Sequence, residues 1–451
     1  MKLIRIISLI VFVAVVVVPI IFFNTTPDAI SEIDNRKLAN NPFQAGGDLT
    51  VNIQNYVNDR IGLRDFAITS YTILNDKLFG KMVHPSYIYG KDGYVFGAGI
   101  TTYNLFSDYH IAFADMVAEI QAYCTQRNVP FLFVFNPAKP AVYPDKLAAG
   151  TNYNRQWVDL FLAELDQRGI NYLDNTKTMM DLREQGLNGF NHKYDANHWN
   201  DLGAFYGTQA MLEQLSRACD TVHVNTLEEF TAGEMLQTSL QVSKFPIKES
   251  VPALELKVPI SSIGSQYTPA LTIHPSYPGF GYAVNNSEVV SNTPKALVFQ
   301  GSYMNGYGYK YLMNAFREYI YVHDYQNVLN FPYYFNIFQP ECVIFEVAEY
   351  TFSNTYFDYD TMCRIDYNPA LPLLTEDQYT SVLVSKDDLS VTEGAALTTI
   401  QWHTNQAYNY VWMALDCIYD MQKIEGGYQV TIETSAYTDA GEQLQIFASV
   451  Q

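Results

Sequence analysis

Positive charge is scarce in this chain. Its 451 residues include 27 Lys and Arg against 47 Asp and Glu, a formal net charge of −20. Nucleic-acid affinity rests on clustered Lys and Arg that neutralise phosphates, so no nucleic-acid partner is expected. Cysteine is also rare. Cys124, Cys219, Cys342, Cys363 and Cys417 show neither CxxC nor Cys/His spacing. They form no zinc pattern and no disulfide framework, and the odd count leaves at least one free thiol. No glycine-rich nucleotide loop, internal repeat or low-complexity stretch is present, so neither a coenzyme nor a metal is indicated. Charged residues make up only 16% against 48% apolar, which excludes wholesale disorder. The length suits two domains, or one large domain with appendages. What is abundant is aromatic: 15% of the chain, with 35 Tyr but 4 Trp. Tyrosine faces suit amphipathic ligands such as sugars, and equally an ordinary β-rich core.

The first residues bear on compartment. After Lys2 and Arg5, Ile6 to Phe23 is an apolar run of 18 residues interrupted only by Ser8 and Pro19. That is the short end of a membrane span and longer than the usual core of a cleavable signal. No small-x-small cleavage site follows. The expectation is a signal-anchor at 1–23, basic end inside, with the body exported across the cell membrane; a cleaved signal peptide is the alternative.

Residues 24–86 read as a polar lead-in and an amphipathic helix, with Ile53, Tyr56, Val57 and Ile61 three to four apart. Gly90-Lys91-Asp92-Gly93 is a hairpin turn between aromatic flanks. Across 87–372, helical faces (Phe113, Met116, Val117, Ile120; Trp157, Leu160, Phe161, Leu165) alternate with continuous apolar runs at 131–135, 296–299 and 343–345. Such runs are strands buried on both sides, which predicts an α/β fold with a doubly wound, mainly parallel sheet. Residues 220–294 lose the helical period and read as a β-rich insertion. After Pro369-Ala370-Leu371-Pro372, alternation at 428–432 and 444–448 predicts a small antiparallel β domain over 373–451. There Tyr408, Tyr410 and Trp412 either present rings to a glycan or pack them inward.

Reactive groups in an open α/β sheet sit beyond the carboxyl ends of the strands. Gln300-Gly301-Ser302-Tyr303 follows one such strand, with Gly306 and Gly308 just after. A turn there lifts the serine hydroxyl above the sheet and aims backbone N–H groups at whatever bonds to it. Asp195-Ala196-Asn197-His198-Trp199 lies where a loop enters a helix. An Asp three residues before a His can curl back to the imidazole, fix its tautomer and stabilise the imidazolium. A helix cap at Asn200 or Asp201 accounts for the same segment structurally.

Further blocks add to these. Ser31–Leu38, Tyr56–Arg64, Gly90–Phe96, Pro137–Pro144, Asn197-His198-Trp199 and Leu297–Ser302 resemble, in order, blocks of the AlgX/AlgJ-like alginate O-acetyltransferases. These are also called DHHW proteins and have a circularly permuted SGNH hydrolase-like domain. The resemblance runs from about residue 30 to 365. It implies Ser302 as nucleophile, His198 as general base and acid, and Asp195 as the orienting carboxylate. Lys139, Tyr143, Trp199 and Tyr303, in or beside the matching blocks, are the expected substrate-binding residues; Glu349 is expected to be structural. The chain departs from the family pattern at Gly301, where an Asp is usual, and at Ala196, since the usual Asp stands two residues before the His. The resemblance further implies transfer of acetyl groups to a cell-surface or secreted polysaccharide, with a multi-pass membrane acyltransferase as donor. An acetylesterase would use the same residues. A polysaccharide-binding scaffold with a decayed site is the non-enzymatic alternative, and would leave Ser302 and His198 apart.

Overall fold

In the computed structural model, which describes residues 2–31, 36–84, 86–101, 105–241 and 245–449, the continuous apolar runs become the inner strands of a seven-stranded sheet. Part of the Ser31–Leu38 block falls on 32–35, outside the described residues. The strand order is Tyr172–Asp174, Phe131–Asn136, Cys342–Ala348, Lys295–Gln300, Glu318–His323, Phe280–Val284, Ser261–Ser262. The first five pair in parallel and the last two add antiparallel at one edge. Every residue of Phe131–Asn136 and Cys342–Ala348 is buried, as a strand covered on both faces requires. Helices Asp108–Gln126, Gln156–Gln167 and Phe331–Phe338 pack on one face. Asn175–Glu184, Asp201–Ser216 and Tyr309–Ala315 cover the other. The expected doubly wound α/β class is what the structure has.

The expectation for 220–294 needs correction. Only Phe230–Ser239 and Pro246–Leu256 form a separate hairpin, whereas Ser261–Ser262 and Phe280–Val284 belong to the main sheet. Glu318–His323 would otherwise expose an edge, and Phe280–Val284 pairs with it over five residues.

A second seven-stranded sheet, wholly antiparallel, spans Tyr379–Ser385 to Gln443–Ser449. Of the three rings Trp412 packs inward, fully buried and donating Nε1–H to Pro369 O at 3.1 Å, while Tyr408 and Tyr410 are half-buried and Tyr428 Oη donates to Tyr408 O. Buried Asp420 docks this sheet on the α/β body by accepting Arg127 Nη2 at 2.9 and 3.1 Å and the Tyr123 hydroxyl.

At the other end Lys2–Ile21 forms a helix of mean hydropathy 3.0, long and apolar enough to cross a membrane. Its exit is clipped to residues 60–62. Gly62 N donates to Pro19 O at 2.9 Å, and Asn24 N donates to Arg60 O at 2.8 Å. The buried Arg60 guanidinium donates to Asn24 O, Thr26 O and Ala39 O. A Cβ at Gly62 would lie 2.6 Å from Phe22, so only glycine permits this approach.

Candidate active site

Lys295–Gln300 is the central strand of the seven-stranded sheet and ends at Gly301. Helical turning begins at Ser302, passes through a π-turn at Met304–Gly308 and continues as Tyr309–Ala315. Two buried acids from neighbouring strands converge beneath this turn. Glu346 Oε2 accepts Gly301 N–H at 2.8 Å, and its Oε1 accepts Asn136 Nδ2 at 2.7 Å. Burial, reinforced by the charge of Asp324, pushes the Glu346 carboxyl up to about 8. Asp324 is likewise raised by burial, and a Cβ at Gly301 would lie 3.4 Å from its Oδ1. Residue 301 itself carries no acid; the carboxylates at this turn come from 324 and 346.

The loop opposite is held by its own aspartate. Asp195 adopts φ 50°, left-handed backbone that Asp tolerates better than most residues. Its Oδ1 accepts His198 N at 3.1 Å and His198 Nδ1 at 2.7 Å. Because Nδ1 donates to the carboxylate, Nε2 is left as an acceptor, 3.0 Å from Ser302 Oγ. Burial alone would depress the His198 pKa, but the charge and hydrogen bond of Asp195 outweigh it and the net shift is upward. For Asp195, burial pulls upward and the His198 charge and bonds pull further down, so it stays ionised. Ala196 is buried and the carboxylate three residues before the His makes the contact. Asn200 caps the helix Asp201–Ser216, its Oδ1 accepting Gly203 N at 2.9 Å, so the capping reading of this segment also holds.

A fourth group at the site was not read from sequence. Tyr350, just past Cys342–Ala348, places its Oη 2.9 Å from Ser302 Oγ. Burial raises its pKa far above the usual phenol value, so it remains a hydroxyl. Its neighbour Glu349 is structural, accepting Ala138 N, Tyr153 Oη and Arg155 Nε at 2.9, 2.6 and 3.0 Å.

The four expected substrate-binding residues do not face a cleft. Lys139 is fully buried, its Nζ donating to Val95 O at 2.7 Å and His192 O at 3.2 Å; burial lowers its pKa to about 7. Tyr143 is buried among Tyr94, Phe190 and the Arg183 guanidinium. Trp199 donates Nε1–H to Tyr303 O at 2.9 Å, and Tyr303 Oη donates to Pro137 O and Asn197 O at 2.7 and 2.9 Å. Buried rings with satisfied polar tips have no surface for a ligand. Trp199 and Tyr303 work as a clamp joining the serine turn to the histidine loop.

Beside the serine helix lies a cavity of about 400 Å³, lined in part by Gln300, Asn305, Tyr309, Tyr319 and Tyr321 and by no Lys, Arg or His. Gly281 forms part of its floor; a Cβ there would lie 2.3 Å from the Tyr321 ring.

Residues 88–241 match the family model described as SGNH hydrolase-like domain, acetyltransferase AlgX. That stretch holds Asp195 and His198 and ends before Ser302. No curated protein matches the chain. Among solved structures, Bacillus cereus PatB1 is 16% identical, covering 60% of this chain and 98% of its own at a TM-score of 0.45. The O-acetyltransferase domain of Pseudomonas putida AlgJ is 15% identical, covering 62% and 98% at 0.43. Pseudomonas aeruginosa AlgX is 12% identical, covering 80% and 90% at 0.39. Through residues 88–241 the chain is thus similar to the AlgX-type SGNH hydrolase-like acetyltransferases, and its fold class is theirs.

Proposed function

We propose that the protein is a membrane-anchored, extracytoplasmic O-acetyltransferase that passes acetyl groups through Ser302 to hydroxyls of a polysaccharide. The observation that carries this reading is the aligned set Asp195 Oδ1–His198 Nδ1 at 2.7 Å and His198 Nε2–Ser302 Oγ at 3.0 Å. A decayed binding scaffold would have no reason to keep that alignment. In the first half-reaction His198 takes the Ser302 proton as Oγ attacks the acetyl carbonyl, then returns it to the departing donor oxygen. In the second, a sugar hydroxyl gives its proton to His198 and attacks the acetyl-serine, and Ser302 Oγ recovers a proton from His198. The Ser302 N–H, at the start of a helical turn where no intrahelical carbonyl reaches it, is the natural donor to the tetrahedral oxyanion. Tyr350 Oη hydrogen-bonds the serine oxygen and orients it. The tyrosine-lined cavity beside the serine helix, whose lining includes neither Ser302 nor His198, offers ring faces for a pyranose acceptor.

The donor fits a multi-pass membrane acyltransferase partner reached from the anchored position. An acetylesterase differs only in admitting water to the acyl-serine. The test is full-length protein in detergent with 4-nitrophenyl acetate, following nitrophenol and intact mass. One acetyl adduct that vanishes in Ser302→Ala supports the reading. A folded sample with neither release nor adduct refutes it. Acetyl transfer to added oligosaccharide in preference to water separates transferase from esterase.

A further inference from the structure

The helices Leu49–Arg60 and Arg64–Phe79 are oriented in reverse of a soluble protein's. Between them only Arg60 and Thr72 are buried; Ile73 packs on the body, but many of the large apolar side chains face outward. Leu78 is 63% exposed, Tyr71 60% and Leu74 54%; at spacings of three and four they form one stripe, with Phe66, 70% exposed, flanking it one to two turns nearer the helix start. Ile53 and Val57 are exposed on the first helix. The opposite face of Arg64–Phe79 is the one bound to the body: Thr72 is buried there and Asp76 accepts the Tyr89 hydroxyl at 2.8 Å. Contiguous exposed apolar surface of this extent marks an interaction site.

We propose that this stripe is a membrane-seating surface, lying in the bilayer plane at the boundary between headgroups and acyl chains. The occupant follows from continuity. Where Lys2–Ile21 ends, Pro19 O and Asn24 N are bonded to Gly62 and Arg60, and Phe23 packs on the Tyr56 ring at 5.6 Å. The corner between the two helices is therefore fixed at the level where the anchor leaves the hydrocarbon, and Phe66 stands one helical turn from that clip. A helix that starts at this level with its apolar face unpartnered meets lipid. The inference rests on reading Lys2–Ile21 as a span.

The test places single tryptophans in the full chain, reconstituted in phosphatidylcholine–phosphatidylglycerol vesicles with brominated acyl chains as quencher. The native Trp157, Trp199, Trp402 and Trp412 are all buried in the body and give a constant background. Phe12→Trp reports the span, Leu74→Trp the stripe, and Leu383→Trp, on the exposed edge of the C-terminal sheet, the aqueous control. Several-fold stronger quenching of Leu74→Trp than of the control, greatest with bromines near the headgroup end, supports the seating. Quenching of Phe12→Trp alone overturns it and leaves the anchor intact. Failure of Phe12→Trp itself removes the span and the seating together. A Leu74→Trp emission that shifts with protein concentration in detergent, without bromine quenching, assigns the stripe to a second copy and also overturns the proposal.

Discussion

Glu346→Gln separates the carboxyl beneath the serine turn from its charge. Glu346 accepts two N–H donors, Gly301 N at 2.8 Å and Asn136 Nδ2 at 2.7 Å. Glutamine keeps one acceptor and turns an amide N–H toward the other donor. At pH 5 the variant is therefore less stable by about 1–3 kcal/mol, the cost of one buried unpaired polar group. The sign then changes with pH. A carboxyl whose folded pKa is raised from 4.5 to about 8 binds its proton more tightly in the folded protein. Its contribution is fully present below about 4.5 and is lost as pH rises to about 8. At about 1.4 kcal/mol per pH unit, wild type loses up to roughly 5 kcal/mol across that window, and the glutamine variant lacks this slope. Urea unfolding of both full-length proteins at pH 5, 7 and 9 should show curves that converge and then cross. Parallel curves would refute the reasoning, because Glu346 would then be ionised in the folded state throughout.

Further outcomes follow from the geometry. Nitrophenol release should rise with pH through an apparent pKa above 6.5, since the base must be neutral and Asp195 raises His198; Asp195→Asn should lower that pKa and cost about a thousandfold or more in rate. Tyr350→Phe removes the hydroxyl on Ser302 Oγ and should slow acylation about tenfold, as one lost hydrogen bond does, without moving the pH midpoint. Tyr303→Phe removes the one O–H shared by Pro137 O and Asn197 O and should cost about 1–3 kcal/mol in urea unfolding, with no change in acceptor KM. Tyr321→Ala should raise the KM for an oligosaccharide acceptor about three- to tenfold, as loss of one aromatic contact does.

The inner strands were legible because strands buried on both faces need unbroken apolar runs, as Phe131–Phe135 and Val343–Phe345 have. The Asp195, His198 and Ser302 set was legible because the first pair is local and the serine follows a strand. Phe331–Phe338 escaped notice because all eight residues are buried, which erases the amphipathic period. Tyr303 misled because one step along a helix turns a side chain about 100° from Ser302, and Trp199 because its ring, beside His198 in the loop, packs on Tyr303 instead. Glu346 carried a signal that was passed over, namely a carboxylate inside a wholly buried strand.

The clip at Arg60 and Gly62 has a mechanical consequence. From the N-terminal apolar helix, hydrogen-bonded links run through the helix Arg64–Phe79 to the hairpin at Tyr89. They continue from Val95 through Lys139 and His192 to the segment that carries Asp195 and His198. If the N-terminal helix spans the membrane as proposed, it is a strut, where a flexible leash would let Ser302 roam. On the proposed reading the acetyl-serine is held at one height above the lipid, and a growing glycan is modified only along the stretch that crosses that level. The spacing between bilayer and serine would then act as a ruler, set by the fold, for where along the emerging chain the acetyl groups fall.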